Sequence, residues 1–129
     1  MTNTPEKILE RWIECVNKLE VDNVVSLYDG ESTILPTFSP HSLSTPQHIR
    51  EYFTQLSTRK NISVKIHNET LRKHEIGENK WVLVGIYSFI FMVDDANLTF
   101  PSRFTFIFDL SKEKPILHHH SSQIPRTLS

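Results

Sequence analysis

Cysteine is almost absent from this chain: Cys15 is the only one in 129 residues. A lone thiol cannot close an intrachain disulfide, so burial and hydrogen bonding must hold the fold, and a reducing, cytoplasmic setting is expected. Glycine is scarce as well, with three residues scattered along the chain and no Gly-rich linker. Charge of one sign is missing. The formal net charge is −1, which gives no electrostatic reason to expect nucleic acid or an anionic membrane as the main partner. Long hydrophobic runs are missing too: the longest, Trp81 to Val93, is shorter than a spanning helix and is broken by Gly85 and Ser88. The opening MTNTPEKILERW has no apolar core and no cleavage-site pattern, so no secretory signal is expected.

What is present suits one domain over residues 1–129, with 38% hydrophobic residues to bury a core unaided by disulfide or metal. Thr4-Pro5 starts a helix, with Thr at the N-cap and Pro at the first helical position. Ile8, Leu9, Trp12, Ile13, Val16 and Leu19 then recur at helical spacing. Cys15 lies beside that apolar face and reads as a buried, inert thiol. Val24, Val25, Leu27 and Tyr28 continue as a short second helix closed by Asp29-Gly30. Ser32 to Leu35 reads as a strand stopped by Pro36, and Thr45-Pro46 opens a third helix carrying Ile49, Tyr52, Phe53 and Leu56.

From Asn61 the period changes to two, with Ile62, Val64 and Ile66 alternating with polar residues. Lys80 to Val93, Thr99 to Leu110 and Ile116 to Ile124 read as further strands, linked by turns at Gly77-Glu78-Asn79, Asp94-Asp95-Ala96 and Ser111-Lys112-Glu113. Helices followed by hairpin-linked strands predict an α+β fold, an antiparallel sheet packed on N-terminal helices. Lys80 to Val93 is apolar on both faces and needs two covers. The helices supply one; a second copy of the chain is expected to supply the other, giving a homodimer or larger homo-oligomer.

The densest chemistry is His118-His119-His120-Ser121-Ser122. Strand alternation puts His119 and Ser121 on one face and His118, His120 and Ser122 on the other. Three readings stand. His118 and His120 could ligate a metal with His67 or His74 as a third ligand. They could instead be structural or interface groups. His119 and Ser121 could face a pocket between sheet and helices, where His supplies a group titrating near neutrality and Ser a donor and acceptor. Arg103 and Thr105 alternate with Phe100, Phe104, Phe106 and Phe108. Arg103 is then either exposed or an anion contact, since a buried guanidinium needs an anionic partner. Thr37, after Pro36, and Tyr52, beside Phe53, are packing residues or further pocket groups.

Leu27-Tyr28, Ile34-Leu35-Pro36-Thr37, Ile49-Arg50-Glu51-Tyr52-Phe53, Ser102-Arg103-Phe104-Thr105-Phe106 and His118-His119-His120-Ser121-Ser122-Gln123-Ile124-Pro125 occur in that order. Together they resemble the family of the calcium/calmodulin-dependent protein kinase II association domain, and within it the iota-class carbonic anhydrases. The terminal His-His-Ser-Ser element is the most specific part. The resemblance implies a cone-shaped, strongly curved sheet of the nuclear-transport-factor-two-like or SnoaL-like kind, assembly through the sheet, and a pocket between helices and sheet. It implies reversible hydration of carbon dioxide to bicarbonate, without metal or other cofactor, around Thr37, Tyr52, His119 and Ser121; in such chemistry a neutral His119 is the expected general base. Arg103 matches by position an arginine that binds carboxylates in the pocket of the kinase's association domain; with Thr105 it makes the expected substrate contact. A non-catalytic domain for small carboxylates and oligomerisation is the alternative, as is another lyase or isomerase. The latter commonly relies on an Asp–His pair, whereas Asp22, Asp29, Asp94, Asp95 and Asp109 fall in predicted turns or element ends. Lys112-Glu113-Lys114-Pro115 replaces the Gly-Lys-Trp usual in the family, and Pro115 should sit where no ladder donor is needed.

Overall fold

The computed structural model describes residues 3–125; residues 1–2 and 126–129, the ends of the expected domain, lie outside the described residues. Helix α1 spans Pro5–Asn17, and the Thr4 hydroxyl accepts from the Lys7 N–H at 3.2 Å. Helix α3 spans Pro46–Ser57, and Thr45 caps His48 N–H in the same way. Both starts follow the Thr-Pro signal: the hydroxyl satisfies one amide left free in the first turn, and Pro occupies a position needing no donor. Between them lie the short α2 (Val21–Val25) and strand β1 (Tyr28–Leu35). Strands β2 (Ser63–Gly77), β3 (Lys80–Val93), β4 (Ala96–Asp109) and β5 (Ile116–Gln123) follow.

The sheet order is β1-β5-β4-β3-β2, and it is mixed: β2, β3, β4 and β5 pair antiparallel, while β1 runs parallel to β5. This corrects the expectation of a wholly antiparallel sheet. Hairpin logic covers only strands adjacent in sequence, whereas β1 leaves through α3 and meets β5 across a long crossover, as parallel pairing requires. Tyr28 is a second correction. It opens β1 and pairs with Ile116, and the Leu27 carbonyl accepts from Ile116 N–H, so neither residue belongs to α2. The β3–β4 hairpin turns at Asp94 and Asp95, with φ of 50° and 64°. Positive φ at both central residues matches the right-handed twist of the strands, and Asp tolerates it better than most residues.

The core lies between the helices and one face of the sheet. Leu83, Tyr87, Phe89 and Phe91 of β3, and Ser102, Phe104, Phe106 and Phe108 of β4, point to that face and are buried. Trp12 of α1 is 1% exposed at its centre, stacked on Tyr87 at 5.5 Å and edge-on to Phe89 and Phe106. Gly85 explains itself here: a Cβ would lie 2.9 Å from Leu71 Cδ2 and 3.0 Å from Phe104 Cζ, so only glycine lets Phe104 close over the strand. Cys15 is buried, and burial raises its thiol pKa, as an inert thiol requires.

Candidate functional site

Register decides which side chains meet. Phe104 pairs with Ser121 and Phe106 with His119, so His119 and Ser121 share the core face with the phenylalanine row. Arg103 pairs with Ser122 and Thr105 with His120, on the opposite face. Arg103 is exposed there. The structure therefore does not bring Arg103 or Thr105 to the groups the sequence placed them with. His118 is half-buried and His120 exposed on that outer face. His67 and His74 stand on β2, with β3 and β4 between them and β5. Among the described residues no group of three or more His, Cys, Asp and Glu side chains comes close enough to hold a metal ion.

On the core face a chain of hydrogen bonds runs through the molecule. Trp12 Nε1–H donates to the Tyr28 hydroxyl at 2.9 Å. That hydroxyl lies 2.8 Å from His119 Nδ1, and the Tyr87 hydroxyl lies 3.0 Å from His119 Nε2. Tyr87 donates to Ser121 Oγ at 2.7 Å. Ser121 Oγ bonds in turn to Thr37 Oγ1, which donates to Ser102 Oγ at 3.3 Å. Five elements contribute: α1, β1, β3, β4 and β5, with Thr37 supplied just after β1. Packing holds it in place, since the His119 ring stacks on Phe106 at 3.9 Å and Tyr87 stacks on Phe104 at 4.5 Å.

His119 is 3% exposed. Burial, reinforced by His118 and His120 alongside, lowers its pKa from 6.5 to about 3, so the ring is neutral at physiological pH. Burial raises the Tyr28 and Tyr87 pKa values, so both hydroxyls stay protonated. Of the expected site residues, Thr37, His119 and Ser121 are joined, but His119 reaches Ser121 only through Tyr87. Thr37 and Ser121 line an open groove of about 340 Å³, which the exposed His41 and His120 also line. Tyr52 instead lines a separate cleft of about 530 Å³ between α3 and the segment after β1. Ser39, Pro40 and His41 border both spaces and separate Tyr52 from Thr37 and Ser121. The sequence pattern places Trp12 and Tyr28 on helices and does not single out Tyr87 within the apolar strand Lys80 to Val93. A buried tyrosine within an apolar strand needs a partner for its hydroxyl, and that signal at Tyr87 was present in the sequence.

With this geometry established, comparison with known proteins places the chain. The model of the calcium/calmodulin dependent protein kinase II association domain matches residues 5–125. The chain belongs to the calcium/calmodulin dependent protein kinase II association domain family. Among solved structures, a Xanthomonas campestris protein described as such an association domain superposes with a TM-score of 0.84 at 21% identity, over 97% of this chain and 91% of the other. SalBIII, an epoxide hydrolase/cyclase-like enzyme in pyran ring formation in salinomycin, gives 0.77 at 15% identity over 92% and 89%. A Caulobacter vibrioides protein with a cystatin-like fold gives 0.76 at 11% over 93% and 87%. At these identities the likeness is one of fold. No curated protein sequence matches the chain. No helix among the described residues is long and apolar enough to cross a membrane.

Proposed function

We propose that this association-domain protein catalyses the reversible hydration of carbon dioxide, with Thr37 and Ser121 holding the bicarbonate oxygens at the groove. The observation that carries this reading is the unbroken hydrogen-bond chain linking the groove hydroxyls of Ser121 and Thr37 to His119 through Tyr87. Hydration adds a water oxygen to the carbon of carbon dioxide and releases one proton. Hydroxyls fixed in advance can orient that water and bind the developing oxyanion without reorganising. The likeness of the His-His-Ser-Ser element to iota-class carbonic anhydrases points to the same chemistry, carried out without metal or cofactor.

His119 does not take the role of general base in this reading. Its pKa of about 3 makes it a poor proton acceptor near neutrality. The released proton leaves to solvent through the open groove, which His41 and His120 also line. Tyr52, in its separate cleft, and Arg103 and Thr105, on the outer face, make no contact with substrate. A second copy of the chain covers the outer sheet face, giving a homodimer.

Stopped-flow hydration of carbon dioxide by chelator-treated protein tests this. Activity should survive chelation and fall about a hundredfold or more in Ser121→Ala and Thr37→Val, the scale of one lost transition-state hydrogen bond. No rate above buffer overturns it, and a rate restored only by added zinc or manganese replaces it with a metal-dependent reaction. The depressed His119 pKa favours a second reading, a non-catalytic site for small carboxylates using the same donors. Saturable acetate binding without hydration would establish it. An Asp–His mechanism draws no support, because both His119 nitrogens bond to tyrosine hydroxyls.

A further inference from the structure

We infer that Asn17 is an edge guard: its side-chain amide fills the place where a second copy of this chain would pair strand to strand along β2, and so keeps self-assembly off that edge of the sheet. The inference concerns the edge alone and does not depend on the reading of the groove or on its chemistry.

β2 ends the sheet order, so one side of its backbone faces no strand. The Val64 N–H donates to Asn17 Oδ1 at 2.6 Å, and Asn17 Nδ2 donates to the Val64 carbonyl at 3.2 Å. Both Val64 groups therefore point away from β3, and these two bonds are the ones a residue on a neighbouring strand would make. The opposite edge is closed in the same way by backbone: Ile34 of β1 and Leu43 exchange both N–H···O=C bonds at 2.9 Å. A carboxamide carries the same donor and acceptor as a peptide group, so Asn17 does at β2 what Leu43 does at β1. On either side of Val64 little edge is left. The Ile62 N–H is taken by the Arg59 carbonyl at 3.2 Å. Beyond His67 the register breaks, and Thr70 Oγ1 accepts from the Ile86 N–H in place of a strand carbonyl. Ile66 turns its backbone outward as Val64 does, and it stands beside an open groove of about 410 Å³ along α1. The helix end that brings Asn17 here is closed by the Glu20 N–H on the Cys15 carbonyl at 2.9 Å. Leu19 is held there at φ 59°, a conformation costly for leucine that the Asn17 clamp helps to hold.

The occupant that Asn17 excludes is a second β2. An antiparallel pair centred on Val64 about a twofold axis sets Val64 against its own copy, Lys65 against Ser63, Ile66 against Ile62 and His67 against Asn61. No like charges face each other across that pair. The edge is therefore self-complementary once Asn17 lets go and the last turn of α1 moves aside. Open edges of this kind are the aggregation hazard that natural sheets block. The hazard is greater in a chain that also presents an apolar outer sheet face, because two self-complementary surfaces on one chain can propagate without closing.

Amide hydrogen exchange by NMR and light scattering, both on the full chain, test this. In the wild type the Val64 amide should be protected although no strand lies beside it. In Asn17→Ala it should exchange about tenfold faster, the worth of the two lost bonds, and the mass should rise above the wild-type value with concentration. Asn17→Ser, which cannot span both Val64 groups, gives the same two readouts if Asn17→Ala fails to fold. Adding Ile66→Pro, which removes an outward N–H and no ladder bond, should return the mass to the wild-type value. Asn17→Lys cannot accept from the Val64 N–H but leaves a charge on the edge; it should combine fast Val64 exchange with wild-type mass. An unprotected Val64 amide in the wild type overturns the inference, and that measurement needs no variant. So does folded Asn17→Ala that keeps the wild-type mass at every concentration. Association that persists with Ile66→Pro, or that is as strong in Asn17→Lys as in Asn17→Ala, overturns it too, since either would mean a general loss of stability and not an opened edge.

Discussion

His119 shows how one residue's surroundings set its chemistry. The folded pKa of about 3 lies below the ordinary 6.5 because burial penalises the charged ring. Between these values the unfolded chain binds a proton that the native chain does not. Native stability is thus fully present above pH 6.5 and is lost as the pH falls toward 3, by up to about 1.4 kcal/mol per unit. His118, also lowered by burial, adds a loss of the same sign. Glu6, Asp29 and Asp109 are lowered by hydrogen bonds to Lys73, Lys112 and Ser111, so their losses begin only in the more acidic carboxylate range. Urea unfolding at pH 7, 6 and 5 should therefore show falling stability, with the slope reduced in His119→Gln; a flat profile in the wild type would refute the assignment. Strand alternation was enough to separate His119 and Ser121 from His118 and His120. It could not show that a tyrosine from β3 stands between His119 and Ser121. That depends on the cross-strand register and on β3 being two strands away from β5, neither of which leaves a mark in local spacing.

At the scale of elements, the segment after β1 decides what the interior space is for. Phe38 follows Thr37 and sets its ring edge-on to Phe89, Phe91 and Phe100, at 5.1, 5.5 and 5.6 Å. It thereby anchors the segment that borders both the Tyr52 cleft and the Thr37 groove. Phe38→Ala removes a partly buried ring and its three edge contacts, and should cost about 1–3 kcal/mol, below the range for a fully buried phenylalanine. Denaturant melts measure this, and a loss under about 0.5 kcal/mol would show that the ring does not hold the segment. The helix starts at Thr4 and Thr45, the hairpin turns and the three long strands were legible because capping, turn chemistry and period are local. The β1–β5 pairing was not, since nothing in Tyr28–Leu35 distinguishes a parallel edge strand from a hairpin arm. Tyr28 was misplaced for the same reason: Leu27-Tyr28 continues a helical pattern until the Ile116 amide and its ladder claim it for the sheet.

At the scale of the whole molecule, the outer sheet face is unlike one built for water. Val82, Val84, Ile86 and Ile90 of β3, with Ile107 of β4, lie half-exposed on the side away from the helices. An antiparallel sheet with one wet face normally carries polar residues there, and a contiguous apolar patch on such a face marks an interaction surface. Arg103 and His120 stand exposed on this face, with His118 half-buried among them. If a second copy covers the patch, Arg103 meets that copy, and its task is assembly and not ligand binding. Light scattering of the wild type at micromolar concentration should then report a mass that is a multiple of 15.1 kDa. Ile86→Glu, which places a charge at a half-exposed position without opening a cavity, should reduce this to a single chain with the fold retained. Arg103→Ala should weaken association while leaving bicarbonate binding at Thr37 and Ser121 unchanged. A wild type that is monomeric throughout would sink the covering copy. Bicarbonate binding lost in Arg103→Ala would instead return the guanidinium to the ligand, against the register that places it on the far side of the sheet.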